Sequence, residues 1–144
     1  MTDTLSSPLP LTHSERVFDA TAAYQLQSRR LIKTEDLNPA GRLFGGRVME
    51  WVDEVTALYS MHIMLTRSVV TKKFSEVVFN QPADLGDILE FYCRVSKIGN
   101  TSISVDCRVS TLQIKPTDPS KLIVGCEVVF VCLGPDGKPA PHGL

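Results

Sequence analysis

The sequence has no excess of charge of either sign. Fifteen Lys and Arg stand against sixteen Asp and Glu, a formal net charge of −1. Nucleic-acid binders usually carry a strong basic excess on one face, so no nucleic-acid partner is expected, although a small basic pocket for a phosphorylated ligand is still allowed. No apolar run approaches the roughly 18–20 residues that span a bilayer, so no membrane partner is expected either. Residues 1–10 carry neither a basic n-region nor an apolar h-region, which argues against a secretory signal. A cytoplasmic location is the resulting expectation. The four cysteines, Cys93, Cys107, Cys126 and Cys132, form no C-x-x-C pair, and no histidine sits at ligand spacing. No metal site is expected from them. All four fall in strand-like segments and read as buried free thiols in a reducing compartment.

What is present fits one domain. The chain has 144 residues, 43% of them hydrophobic and 22% charged, a globular composition. At this size about 68–70% of the unfolded surface is buried on folding. Residues 1–14, rich in Ser, Thr and Pro, are expected to form a flexible arm, residues 15–135 a single domain, and residues 136–144 a C-terminal tail. The stretch 15–34 is ambiguous: Val17, Ala20, Ala23 and Leu26 suit a helix, while residues 24–34 suit a strand with Leu26 and Ile32 inward. The strand is favoured. A loop follows, marked by Asp36, Asn38-Pro39 and Gly41.

A long helix is predicted from Gly45 to Leu65. Val48, Trp51, Val52, Val55, Leu58, Tyr59, His62 and Ile63 recur at spacings of three and four, one apolar stripe, which places His62 in the core. Four strands follow, over 69–79, 88–97, 101–113 and 122–133. The third is the clearest, with Ile103, Val105, Cys107 and Val109 alternating with Ser102, Ser104, Asp106 and Arg108. In the second, Leu89, Phe91, Cys93 and Val95 point inward. One helix on one antiparallel sheet is an α+β domain. Such a sheet leaves an edge and a polar helix face open, which argues for a second copy.

The most informative segment runs from Asn38 to Asp53. A turn leads into Gly45-Gly46 at a helix start, and a carboxylate follows two turns later. Free N–H groups at a helix start can hold a developing oxyanion. A nearby carboxylate can activate water or attack directly. Together they suffice for acyl hydrolysis without serine, cysteine, histidine or metal.

With these residues in place, the chain resembles the acyl-CoA thioesterases of the hotdog fold, in particular the branch of bacterial YciA and the mammalian cytosolic acyl-CoA hydrolases. The match is Asn38-x-x-Gly41-x-x-Phe44-Gly45-Gly46-x-x-Met49-x-x-x-Asp53. It continues in Val69-Val70-Thr71, Phe79-x-x-Pro82, Gly86-Asp87, Lys97-x-Gly99-x-x-Ser102 and Gly137-Lys138-Pro139, and covers about residues 30–141. The resemblance implies a long central helix wrapped by a curved antiparallel sheet of five to six strands. It implies a homodimer at minimum, built into tetramers or hexamers, with the acyl-CoA thioester at the dimer interface and no cofactor.

On the same resemblance, Asp53 is the catalytic carboxylate, as general base or as nucleophile, and Asn38 positions water or the carbonyl. Gly45 and Gly46 polarise the thioester carbonyl, and Asn38 and Asp53 come from different subunits. Lys97, Gly99 and Ser102 are candidates for CoA phosphate binding, and Thr71 and Ser75 for substrate contact. One departure stands out. Relatives carry Glu-Ser before an Asn-Phe pair, whereas here Ser75 precedes Glu76 and Val78 replaces the Asn.

Each assignment has a plainer alternative. Asp53 is also what an exposed helix carboxylate looks like, with Glu50 and Glu54 as rival acids. Asn38-Pro39 and the paired glycines are ordinary turn residues, and Lys97 is a solvated side chain beside a hairpin. Two further functions are weighed: a non-catalytic acyl-CoA binding or sensing module, and an enoyl-CoA hydratase. The latter lacks its Asp-x4-His pattern after the helix-opening loop.

Overall fold

Helix α2 (Gly45–Met64) is the centre of the molecule. In the computed structural model, which describes residues 12–144, it lies against one face of a five-stranded sheet. The strands are β1 (Gln25–Leu31), β2 (Val69–Phe79), β3 (Ile88–Ile98), β4 (Ser102–Thr111) and β5 (Leu122–Cys132). Their order is β1-β3-β4-β5-β2, and every neighbouring pair is antiparallel. β1 and β2 are the edges.

The period-two patterns decide which face meets the helix. Leu89, Phe91, Cys93 and Val95 of β3 are buried, as are Ile103, Val105, Cys107 and Val109 of β4. Val124, Cys126, Val128 and Phe130 complete the inner face from β5. Against it α2 presents Val48, Trp51, Val52, Val55, Tyr59 and Ile63. Apolar burial of this kind contributes about 1.5–3 kcal/mol per large side chain. The four cysteines are free thiols inside this core. Burial pushes the Cys126 thiol up to about 12, and a hydrogen bond that holds the neutral Cys107 thiol against Cys93, then burial, raises that of Cys107.

Residues 1–11, most of the expected arm, lie outside the described residues. The helix weighed but not favoured over 15–34 is present as α1 (His13–Ala22) and ends before Leu26. Its start is a capping box: Glu15 N–H donates to Thr12 Oγ1 at 3.2 Å and Thr12 N–H to Glu15 Oε2 at 2.8 Å. The strand expected over 24–34 shortens to Gln25–Leu31. Leu26, expected inward, is 40% exposed, because the ladder slips between Leu26 and Ser28.

Helix α1 also corrects the buried stripe of α2. Arg16, itself buried, donates from Nε to the Ile63 carbonyl at 3.3 Å, near the C-terminus of α2. A cation is favourable at that end of the helix dipole. Tyr59 Oη donates to the Ala20 carbonyl at 3.4 Å. The buried face of α2 therefore turns toward Tyr59, Ser60, Ile63 and Met64 in its second half. Leu58, at 59% exposure, and His62 fall outside it, so His62 is a surface residue and not a core one.

The residues set apart as a C-terminal tail fold back onto the β3–β4 turn. Ala140 N–H donates to the Cys132 carbonyl at 2.9 Å. His142 donates from Nε2 to the Ser102 carbonyl at 3.0 Å and accepts from Leu144 N–H at Nδ1. Leu144 packs against the core.

Candidate active site

The start of α2 is held by a buried carboxylate. Asp36, in a 3-10 turn over Thr34–Asp36, accepts from Lys33 N–H at 2.9 Å and pairs with Arg47 Nε at 3.3 Å. Its carbonyl accepts from Phe44 N–H. One residue thus joins the end of β1 to the first turn of α2. The sequence reading placed Asp36 in a loop and gave it no role. Its signal was an acid eleven residues ahead of the matching arginine, on another element, which no local pattern reports.

Asn38 shapes the intervening loop. Its Oδ1 accepts from Ala40 N–H at 3.0 Å and Arg42 N–H at 3.2 Å, an Asx turn. Gly41, at φ +79°, closes that loop. The side-chain oxygen is therefore committed, while Nδ2 has no acceptor among the described residues and remains a donor.

Helix α2 opens with no side-chain cap on Phe44. The first turn's bonds begin with Arg47 and Val48 N–H to the Phe44 carbonyl. The N–H groups of Gly45 and Gly46 have no acceptor among the described residues, the usual orphan donors of a helix start. Neither glycine is demanded by the backbone, since neither has positive φ. A Cβ at Gly45 would meet only the Phe79 ring, at an ordinary 3.7 Å. A Cβ at Gly46 would meet the Phe44 ring at 2.8 Å, but that side chain is 54% exposed and free to move. Glycine in a helix costs about 0.5–1 kcal/mol relative to alanine. The fold gains nothing visible from the pair; what the pair leaves is bare amide surface.

Asp53 lies two turns down α2 and is half-buried. Its Oδ1 accepts from the Thr71 hydroxyl of β2 at 2.7 Å. The rival acids are engaged elsewhere: Glu50 pairs with Arg47 at 3.4 Å and Glu54 with Arg30 at 2.8 Å. Among the described residues Asp53 has no ion pair. It is the acid on this helix left without a cation.

The proposed residues do not all converge within one chain. Asn38 and Gly45 line a cavity of about 290 Å³ with Val48, Phe79, Ala83 and Ile123. Gly46 faces a separate depression with Phe44 and Arg47. Asp53 lines neither, being eight residues, about 12 Å, along α2 from Gly45. Ser75 is turned away from this site. It stands opposite Glu127, between the inward residues Cys126 and Val128, and donates to Glu127 Oε1 at 3.2 Å on the outer face.

Lys97, Gly99 and Ser102 sit at the far end of the sheet. Ser102 is level with Val131 and Val70, roughly 30 Å along β2 from Phe79. Gly99 N–H already donates to the Ser102 carbonyl at 2.8 Å. That turn offers the Lys97 ammonium and the Ser102 hydroxyl, but not the Gly99 amide. Among the described residues no group of three His, Cys, Asp or Glu is placed to hold a metal ion, and no helix is long and apolar enough to cross a membrane.

Comparison with known proteins places this architecture. The thioesterase superfamily model matches residues 40–116. The acyl-CoA thioester hydrolase YciA of Salmonella typhimurium is 33% identical over 125 residues, 85% of this chain and 93% of its own. A hexameric hotdog fold thioesterase of Campylobacter jejuni superposes with a TM-score of 0.69 at 31% identity, covering 81% of this chain and 88% of that one. An acyl-CoA hydrolase from Staphylococcus aureus, solved with butyryl coenzyme A and coenzyme A, gives a TM-score of 0.74 at 28% identity over 83% of this chain and 70% of that one. The long helix on a five-stranded antiparallel sheet is the hotdog fold, and the chain belongs to the thioesterase superfamily, among the acyl-CoA thioester hydrolases.

Proposed function

We propose that this protein hydrolyses acyl-CoA thioesters to a free carboxylate and CoA, at a site shared by two copies of the chain. The observation that carries the reading is the spacing of the bare Gly45 amide and the Asp53 carboxylate, which has no ion pair among the described residues: they are eight residues apart on α2, a rise of about 12 Å along the helix. Both are apt for acyl transfer, and they are too far apart to act on one carbonyl from the same chain.

A second copy resolves the distance. Gly45 lies beside Phe79, and Asp53 beside Thr71. Among the described residues β2 is a free edge carrying exposed Val70, Phe74, Val77, Val78 and Phe79, a surface that calls for a cover. A two-fold axis crossing β2 near Ser75, midway between Thr71 and Phe79, exchanges the two levels. It brings Asp53 of one copy to Gly45 and Asn38 of the other, twice over. The dimer is then the catalytic unit, and a hexamer like that of the Campylobacter relative is three such units.

In that site the Gly45 and Gly46 N–H groups donate to the thioester oxygen as it becomes an oxyanion. Asn38 Nδ2 donates to the same oxygen or to the attacking water. Asp53, steadied by Thr71, takes the proton of that water or attacks the carbonyl itself. The sulfur leaves as a thiolate, whose conjugate acid has a pKa near about 8.5, so the departure needs little help from a general acid. The acyl chain lies in apolar space beside the helix start, and Lys97 and Ser102 contact CoA from a neighbouring copy. Asp53→Asn tests the reading: it should fold and assemble normally and release almost no thiol from acyl-CoA. Wild-type turnover by this variant would refute it.

A further inference from the structure

We infer that Phe79 sets the length of acyl group this enzyme accepts, confining it to short chains. The inference rests on the proposed site. The cavity at the start of α2 has an apolar interior of Val48, Ala83 and Ile123, all nearly fully buried. Asn38 and the free Gly45 amide stand at its mouth. An acyl group whose carbonyl is held by Gly45 has this interior for its chain. At about 290 Å³ the space is at the small end of ligand pockets. Phe79 forms one wall, its ring against Gly45 and 55% exposed.

The chain is bent to put Phe79 there. Ser75 pairs with Glu127, and a regular ladder would then set Val78 opposite Val124. Instead β2 carries an extra residue between Ser75 and Val78, and Phe79 stands opposite Val124. Val124 is fully buried on the inner face, and directly opposed residues share a face. The bulge therefore turns an aromatic ring inward in place of a valine. It does so through Glu76 at φ +53°, a conformation that L residues rarely adopt. Strained backbone of this kind gathers at functional sites. No residue from Ser75 to Phe79 belongs to the buried core, so the bulge and the strain are not there to fill it.

The test is the ratio of kcat/KM for dodecanoyl-CoA to that for butanoyl-CoA, measured with the oligomer's mass for the parent protein, Phe79→Ala and Phe79→Trp. Discrimination between apolar chains in such pockets runs from about tenfold upward. Phe79→Ala should raise the ratio about tenfold or more, and Phe79→Trp should lower it, with assembly unchanged. Should Phe79→Ala not fold, Phe79→Leu is measured in its place with the same direction expected. A parent ratio above one overturns the inference, as does a ratio that stays at the parent value in the folded variants, or loss of assembly with an unchanged ratio, which would make Phe79 an interface residue only. Failure of the underlying reading looks different: the parent protein hydrolyses none of the esters, or Asp53→Asn hydrolyses them all.

Discussion

The Thr71 hydroxyl donates to Asp53 Oδ1 at 2.7 Å, linking edge strand β2 to the second turn of α2. It fixes one carboxylate oxygen and leaves the other free for water or substrate. If Asp53 is the catalytic carboxylate proposed above, Thr71 acts through it as a positioning residue, a role separate from the substrate contact expected of Thr71 from the resemblance. Thr71→Val keeps the shape and removes the donor. A hydrogen bond to a charged group contributes about 1.5–3 kcal/mol, so kcat should fall about tenfold to a hundredfold while KM moves little. Thr71→Ser, which keeps the hydroxyl, should recover most of the rate. Steady-state kinetics on one acyl-CoA ester check both.

Gly45 separates function from stability. There is room for a methyl group, 3.7 Å from the Phe79 ring, and the backbone is ordinary. Replacing a compatible glycine with alanine usually stabilises by about 0.4–1 kcal/mol. Gly45→Ala should therefore melt at or above the parent temperature, yet lose activity as the methyl crowds the amide from the substrate. A variant both stable and fully active would show that no ligand approaches there.

Helix α1 depends on its cap. Thr12→Ala removes the side-chain acceptor for Glu15 N–H and should cost about 1 kcal/mol, read from chemical denaturation. The backbone hydrogen bond from Thr12, and then its side chain, holds the Glu15 carboxyl below its ordinary 4.5. A depressed carboxylate contributes stability above its unfolded value and loses it as pH falls through the folded one. The contribution of the Glu15 carboxylate should thus be complete at neutral pH and fade below pH 4.5, with Glu15→Gln less sensitive to acid there.

The cysteines should be silent. All four are buried away from the reagent, and the Cys126 thiol is pushed up to about 12, so almost none of it is thiolate at neutral pH. Intact-mass measurement after iodoacetamide treatment should show no adduct on the native protein and four after unfolding. Rapid native labelling would mean that the strands open locally.

Much of this was legible in the sequence, and the misses have particular causes. The alternation in β4 and the 3.6-residue stripe of α2 both identified real elements, and β2 begins and ends at the residues expected. Helix α1 was passed over because residues 15–34 read as one ambiguous stretch, whereas helix and strand follow one another in it. Yet Thr12-His13-Ser14-Glu15 is a capping box in plain view. Missing α1 then misplaced Leu58 and His62, since the burial of the second half of α2 is set by a partner that the periodicity does not contain. Ser75 and Thr71 are both candidates for substrate contact on the resemblance, and a regular strand would put residues 71, 73 and 75 on one face. The bulge between Thr71 and Lys73 breaks that period and sends Ser75 outward. Tertiary pairing sets that slip; composition does not announce it. The bare glycine amides and their eight-residue spacing from Asp53 were visible as a motif, but the cavity beside Gly45, which Asp53 does not line, needs the packed structure.

The most direct test of a shared site is complementation. Asn38→Ala and Asp53→Asn subunits, each inactive alone, are unfolded together, refolded as a mixture and assayed for thiol release. If Asn38 of one copy serves Asp53 of the other, half of the random dimers contain one intact site of two. The mixture then recovers about a quarter of parent activity. A mixture no more active than either variant alone would contradict the account.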